Sequence, residues 1–233
     1  MVKAISFDFW ESLFGFVSED VLSRVRGERT KLLAELLNRP VDEVDRYYTE
    51  AAVELSQWRE RTGFEFSVRD LMSRFLQKAN APEELVDRCC EIFTEAIRKH
   101  FPGPNPGAAD VVKELHSMGL KLAITSNTIH GTLEEELLKE WGLDRYFCVK
   151  ALSCRLGVRK PRREIFSWVA LRLGVNPSSV LHIGDDPEAD VEGALKAGFW
   201  SGYYVKPGKS PVDKAHIKVT HWSQLPQLIG ELM

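Results

Sequence analysis

The sequence predicts an α/β protein with a Rossmann-like parallel sheet core and an inserted helical-bundle cap domain. Three observations support this fold class. Residues 2–8, an apolar run that ends at Asp8, predict a strand. Residues from about 18 to 100 show helical periodicity without a strand, and helix and strand patterns then alternate to the end. Alternation of this kind is typical of a parallel sheet with helices on both faces.

Composition narrows the class of protein. With 44% apolar and 28% charged residues, the chain is expected to be soluble and globular. No apolar run approaches the ~20 residues that a membrane span needs, and Asp8 and Glu11 interrupt the N-terminal run, so no signal peptide is predicted. We therefore expect a cytoplasmic protein with no membrane partner. The four cysteines match no zinc spacing and are expected to be buried free thiols.

Charge and surface patterning say little about macromolecular partners. The formal net charge is −3 and the two signs are interspersed, which gives no footprint for nucleic acid. Scattered aromatic residues define no patch, so the oligomeric state is left open.

The helical segment contains four predicted helices. Leucines recur at helical spacing until Pro40 ends the first helix, and Gly63 ends the second. Ser67 is a candidate N-cap for the third helix, and Pro82 lies at the start of the fourth. Four successive helices without a strand predict a small bundle inserted into the core.

The domain boundary is predicted where the chain returns to the core. Residues 101–107 hold three prolines and two glycines, which cannot continue a helix. We expect residues 1–15 and 101–233 to form the α/β core and residues 16–100 to form the cap. Strands are predicted at 121–126, 146–151, 179–183, 199–205 and 216–220, and helices at 107–118, 132–141, 161–174, 187–197 and after Ser223.

Polar residues follow the predicted strands at the ends where open α/β sheets bind ligands. Asp8 follows the first strand, and an aspartate there can attack an electrophilic phosphorus or carbon. The alternative is an ordinary loop aspartate bonded to backbone N–H groups. Ser126 and Asn127 can hydrogen-bond phosphoryl oxygens, although the pair also suits a polar turn. Thr125 is expected to face the other side of the sheet.

These residues and two later segments carry a resemblance. Asp8, Ser126, Lys160-Pro161 and the run Gly184-Asp185-Asp186 with Asp190 resemble, in this order, the four motifs of the haloacid dehalogenase superfamily of Mg-dependent aspartyl-nucleophile hydrolases. The resemblance covers essentially the whole chain. It implies that Asp8 is the nucleophile and that Ser126 and Lys160 orient and neutralise the transferred group. Arg159 is a rival for the lysine's role.

The resemblance also implies a magnesium site and a substrate pocket. Mg²⁺ would be held by Asp8, Asp185 and the backbone carbonyl of Trp10, with Asp190 in the outer coordination sphere through water or Lys160. The resemblance implies a small-molecule substrate, and Ser12 and Asn127 would contribute to its binding. The cap would close over the site.

Asp186 is assigned a structural role in the same segment. Because Pro187 suits the first helical position, Asp186 is expected to be the N-cap of the following helix and not a metal ligand.

One position departs from the phosphatase pattern. Family phosphatases carry a second aspartate two residues after the nucleophile, and this chain has Trp10 there. That aspartate supplies general acid–base catalysis, which tryptophan cannot replace. Glu11, at a place that is usually glycine, is a candidate substitute, although a neighbouring side chain is expected to point away from the site.

Three functions are compatible with this departure. The dehalogenase branch also has an aromatic residue at this position, but it dispenses with Mg²⁺ and alters the motif that Gly184-Asp185 keeps intact. The sequence therefore favours Mg-dependent hydrolysis of a small phosphate ester or acyl phosphate. A 2-haloacid dehalogenase-type hydrolase and a catalytically impaired binding module are the alternatives.

Overall fold

The core is a parallel sheet, as predicted. The computed structural model describes residues 1–15 and 18–232. Within those residues six strands form one parallel sheet in the order β3-β2-β1-β4-β5-β6. The strands are β1 Ala4–Phe7, β2 Lys121–Ser126, β3 Phe147–Leu152, β4 Val180–Gly184, β5 Trp200–Tyr204 and β6 Ile217–Val219. β1 therefore lies at the centre, between β2 and β4.

Helices cover both faces of this sheet. They are α5 Ala108–Ser117, α6 Leu133–Glu140, α7 Ser153–Leu156, α8 Arg163–Leu173, α9 Gly193–Lys196 and α10 Leu225–Gly230. On one face, Phe166 of α8 packs in a buried cluster with Ala4 and Ala123. On the other face, the ring centroid of Phe7 lies 5.7 Å from that of Trp222. The alternation of β1 side chains thus supplies two buried layers.

The chain divides into two compact units, residues 1–16 with 102–233 and residues 17–101. The second unit contains α1 Glu19–Leu37, α2 Val41–Thr62, α3 Val68–Lys78 and α4 Val86–His100. In it, α1 packs against α2 and α4, and α3 packs against α2 and α4. Its assignment as a cap remains a prediction, and residues 16–17 of the predicted boundary lie outside the described residues.

Two local features differ from the sequence expectations. The helix predicted over 187–197 begins with a π-helical segment, Pro187–Glu192, and continues as α9. All four cysteines are free, but Cys148 is exposed, so the expectation that every thiol is buried is wrong. None of the described helices is long and apolar enough to cross a membrane.

Candidate active site

The acidic residues converge because their strands are neighbours. Asp8 directly follows β1 and Asp185 directly follows β4, and Phe7 and Ile183 are paired in register at the ends of those strands. The backbone N–H of Asp8 donates to the carbonyl of Ile183 at 2.9 Å. As a result, carboxylate oxygens of Asp8, Asp185 and Asp190 lie within 4.8 Å of one another.

Lys160 lies between two of these carboxylates. Its Nζ donates to Oδ1 of Asp8 and to Oδ1 of Asp190, each at 2.6 Å, and the residue is 2% exposed. Asn127 fixes the backbone that carries it, because the amide Nδ2 donates to the Lys160 carbonyl at 3.0 Å and Oδ1 accepts from the Lys160 N–H at 2.8 Å. The loop after β2 therefore sets the position of the lysine.

Ser12 holds the two strand-end carboxylates together. Its Oγ lies 2.9 Å from Oδ2 of Asp8 and 2.8 Å from Oδ1 of Asp185. A hydroxyl has one hydrogen, so it donates to one carboxylate at a time. Ser12 is fully buried and is not part of the pocket lining, so its predicted contact with substrate remains a prediction.

Ser126 ends β2 and is also fully buried. Its Oγ has no hydrogen-bond partner among the described residues. The neighbouring Asn127 lines the pocket, whereas Ser126 does not. Its predicted contact with the transferred group therefore also remains a prediction.

A buried row of polar side chains reaches Asp190 from across the sheet. Thr125 Oγ1 lies 2.5 Å from Ser6 Oγ, which lies 3.0 Å from His182 Nδ1. The other ring nitrogen of His182 lies 3.0 Å from Oδ1 of Asp190. Sequence reasoning missed Ser6 and His182, and the available signal was a polar residue inside an apolar strand. We call Thr125, Ser6, His182 and Asp190 the polar row.

The charges in the cluster are unevenly balanced. The pKa of Asp8 is raised to about 7. Burial is the largest cause, repulsion from Asp190 and Asp185 adds to it, and Lys160 offsets only part of the rise. For Asp190, burial also acts to raise the pKa, but Lys160 and His182 outweigh it and hold the pKa well below its usual range. Lys160 contacts both carboxylates, and Asp190, which His182 also contacts, is the one whose ionised form is favoured more.

Trp10 occupies the place of the missing aspartate and is held by a buried acid. Its indole Nε1 donates to Oε1 of Glu134 at 2.8 Å. Glu134 lies in the first turn of α6 and is fully buried, and burial raises the pKa of its carboxyl. Trp10 lines the pocket, whereas Glu134 does not. The hydrogen bond therefore fixes the orientation of the indole at the pocket wall.

Glu11 and Lys206 add an ion pair that the sequence analysis did not predict. Glu11 lines the pocket, so the expectation that its side chain points away is wrong. Its backbone φ is +62°, a left-handed conformation that favours glycine. Lys206 follows β5 by two residues, pairs with Glu11 Oε2, and also donates to Oδ2 of Asp185 at 2.7 Å. Burial acts to lower the pKa of Lys206, but these two carboxylates raise it.

The pocket at this edge of the sheet has a volume of about 310 Å³. It combines the acidic cluster with cationic side chains, all from the core unit. Its lining residues are Asp8, Trp10, Glu11, Asn127, Arg159, Lys160, Asp185, Asp186, Ala189, Asp190 and Lys206. Asp186 contributes as predicted to the helix start, since its side chain accepts from the N–H groups of Glu188 and Ala189, both at 2.8 Å.

The donor set fits a hard divalent cation. Mg²⁺ prefers carboxylate and carbonyl oxygens and keeps several waters, so two or three converging carboxylates suffice. The raised pKa values of Asp8 and Asp185 have burial as their largest cause, and repulsion within the acidic cluster adds to it. A cation placed among them would relieve that repulsion.

Comparison with known proteins identifies the family of this chain. A family model described as haloacid dehalogenase-like hydrolase matches residues 2–198. A phosphoserine phosphatase from Thermus thermophilus is 29% identical over 168 residues, which are 72% of this chain and 64% of that protein. A glyceraldehyde 3-phosphate phosphatase from Methanopyrus kandleri is 33% identical over 95 residues, 41% of this chain and 40% of that protein. The chain thus spans less than two thirds of these relatives.

Similar solved structures share the fold over the full chain. A 2-haloacid dehalogenase from Pseudomonas syringae pv. Tomato has a TM-score of 0.79 at 21% identity and covers all of both chains. A HAD phosphatase from Thermococcus onnurineus has a TM-score of 0.67 at 22% identity and covers 98% of each chain. Because the family match runs almost from the first residue to the helix after the Asp185 segment, this chain belongs to the haloacid dehalogenase-like hydrolases.

Proposed function

We propose that the protein is a Mg-dependent phosphatase that hydrolyses a small phosphate ester or an acyl phosphate with Asp8 as nucleophile. The observation that carries this proposal is the acidic cluster: carboxylate oxygens of Asp8, Asp185 and Asp190 lie within 4.8 Å of one another, and a buried lysine contacts the first and the last. The phosphatase names of the relatives support phosphate as the transferred group.

The chemistry assigned to the chain's own residues has two steps. A carboxylate oxygen of Asp8 attacks phosphorus, the bond to the leaving oxygen breaks, and an aspartyl phosphate forms. Water then attacks phosphorus and the bond between phosphorus and the Asp8 oxygen breaks. The Asp8 carboxylate is restored, and the protons of the water leave with inorganic phosphate or pass to solvent. Lys160 carries positive charge next to Asp8 and would offset the phosphoryl charge. Ser126 would use its unpartnered hydroxyl to orient the phosphoryl group, with Asn127 beside it.

The divalent ion would be held by Asp8, Asp185 and the carbonyl of Trp10, with Asp190 acting through water or Lys160. When bound, Mg²⁺ supplies additional positive charge to the phosphoryl oxygens. Ser12 would keep the carboxylates of Asp8 and Asp185 directed to one point through its contacts with both.

Trp10 restricts the substrates that such an enzyme handles well. Its side chain cannot protonate a leaving alcohol, and general acid catalysis is typically worth 10²–10⁴-fold. Glu11 lines the pocket, but its carboxylate is engaged by Lys206. We therefore favour substrates whose leaving group departs without a proton, such as acyl phosphates.

A dehalogenase is the second candidate. Its support is the aromatic Trp10 beside the nucleophile and the fold shared with the Pseudomonas dehalogenase. A leaving halide needs no proton, so this reaction tolerates the missing acid. The acidic cluster weighs against it, since carboxylates crowded near Asp8 without a cation repel one another.

The test is hydrolysis of acetyl phosphate and p-nitrophenyl phosphate with Mg²⁺ or with EDTA. We expect turnover that requires Mg²⁺ and is abolished in Asp8→Asn. Asp213→Asn is the matched control, because that side chain is fully exposed and does not line the pocket. Absence of phosphate release together with chloride release from 2-chloropropionate would replace the phosphatase with a dehalogenase. Absence of both reactions would favour a binding module.

A further inference from the structure

Lys206 contacts the Asp185 carboxylate, which is a proposed ligand of the divalent cation. Its Nζ lies 2.7 Å from Oδ2 of Asp185, and Ser12 Oγ lies 2.8 Å from Oδ1. Both oxygens of this carboxylate are therefore already engaged. A cation that binds through Asp185 must displace one of these donors or share an oxygen with it, and the ammonium group is the donor that it repels.

Glu11 offers that ammonium group a second acceptor. Its carboxylate pairs with the same Nζ, and both side chains line the pocket. The chain places a glutamate here although φ at this residue is +62°, where glycine is favoured. The side chain that occupies this disfavoured position is the one that contacts Lys206.

We propose that Lys206 is a built-in competitor for the divalent cation at Asp185, and that Glu11 receives its ammonium group when the cation binds. Cation binding is then an exchange, in which Mg²⁺ takes Asp185 and Lys206 stays on Glu11. The pair sets the affinity of the metal site: the lysine lowers it, and the glutamate limits how far it is lowered. This inference rests on the metal site of the proposed function.

The experiment is calorimetric titration of MgCl₂ into the wild-type chain, Lys206→Met, Glu11→Gln and the double variant. Removing a positive charge next to the bound ion should tighten binding about tenfold in Lys206→Met. Glu11→Gln should weaken binding severalfold, because the ammonium group keeps Asp185 as its remaining acceptor. In the double variant the Glu11 substitution should have no further effect. The readout is binding, so a role of Glu11 in turnover does not confuse it.

Lys209→Met is the matched control, since it removes the same charge from an exposed lysine three residues along the chain and should leave affinity unchanged. Equal weakening by Glu11→Gln with and without Lys206 would overturn the proposal, because Glu11 would then act through its own charge. Unchanged affinity in Lys206→Met would also overturn it and would leave the metal site intact. Failure of every variant and the wild type to bind Mg²⁺ would refute the metal site itself. Circular dichroism checks that each variant is folded.

Discussion

Gly184 lies directly against the side chains of Asp8 and Asp190. A Cβ atom built there would lie 2.2 Å from Oδ2 of Asp190 and 2.8 Å from Cβ of Asp8. Its backbone φ is not in the left-handed region, so space and not conformation requires glycine. The close approach of Asp8 and Asp190 to the shared lysine depends on this missing side chain.

We therefore expect Gly184→Ala to damage both stability and activity. Overpacking of this kind typically lowers the free energy of unfolding by about 1–3 kcal/mol. Displacement of Asp8 or Asp190 should also separate them from Lys160 and reduce hydrolysis. Urea denaturation and phosphate release measure the two effects.

Gly27→Ala is the control for this substitution. Gly27 lies inside α1, and a Cβ there meets nothing within 4 Å. Alanine should raise the free energy of unfolding by roughly 0.5–1 kcal/mol, because glycine is the poorer helix former. A Gly184→Ala protein as stable and active as the wild type would contradict the packing argument.

Site residues that belong to a sequence motif were predictable from the sequence, and isolated site residues were not. Asp8, Lys160 and Asp185 stand in short segments whose order along the chain carried the prediction, and the structure brings them together. Lys206 pairs with Glu11 across 195 residues and belongs to no local pattern, so nothing in the sequence joined the two. The pairing depends on β5 following β4 in the sheet.

The start of the helical segment after β4 depends on Asp186. Its side chain accepts from two backbone N–H groups, those of Glu188 and Ala189, which would otherwise lack partners at a helix start. Asp190 lies in the same segment, and its Oδ2 accepts a hydrogen bond from the Asp186 N–H at 3.0 Å. The N-cap at Asp186 therefore helps to position Asp190, the acid that pairs with Lys160.

Asp186→Ala should cost about 1 kcal/mol in the free energy of unfolding, as is typical for loss of an N-cap. Asp186→Ser should retain most of the stability, because serine can accept the same bonds. Urea denaturation of the two variants makes the comparison. Equal losses in both would show that the charge of Asp186, and not its capping bonds, is what stabilises the segment.

Element bounds were predictable where burial imposes a pattern. β2 begins and ends as predicted, and β3 to β6 differ by at most one residue at each end. The π-helical segment at Pro187–Glu192 was not predicted, since apolar spacing does not distinguish it from an α-helix over so few residues. α7, Ser153–Leu156, is too short to show periodicity. Cys148 is exposed because it faces the side of the edge strand β3 opposite to the buried Phe147 and Val149.

Among the buried groups that should make the stability of the whole molecule depend on pH, His182 and Asp8 act with opposite signs. Burial lowers the pKa of His182 below its usual value, with the charge of Lys160 adding to the effect and Asp190 opposing it. The unfolded chain therefore takes up a proton that the folded chain refuses, and this contribution is lost as pH falls below about 6.5. Asp8, with its pKa raised to about 7, contributes stability at low pH that is lost as pH rises toward 7.

His182→Gln separates the two contributions. In EDTA, the stability advantage of the wild type over this variant should shrink between pH 7.5 and pH 5, by up to about 1.4 kcal/mol per pH unit below the unfolded pKa. The Asp8 contribution is common to both proteins and largely cancels. Urea denaturation at the two pH values is the measurement, with His116→Gln, an exposed histidine, as control. A stability difference between the wild type and His182→Gln that does not change with pH would contradict the assignment of this pH dependence to His182.

The polar row has a further consequence for how the sheet assembles. β1, β2 and β4 are buried almost throughout, so their apolar side chains alone would tolerate a slip of one strand past another. A slip of one residue would turn Ser6, Thr125 or His182 to the opposite face and leave its partners buried without hydrogen bonds. The polar row, which ends at the carboxylate that contacts Lys160, thus also selects a single alignment of the central strands. In a misaligned sheet, the residues around Asp8 would not be brought together.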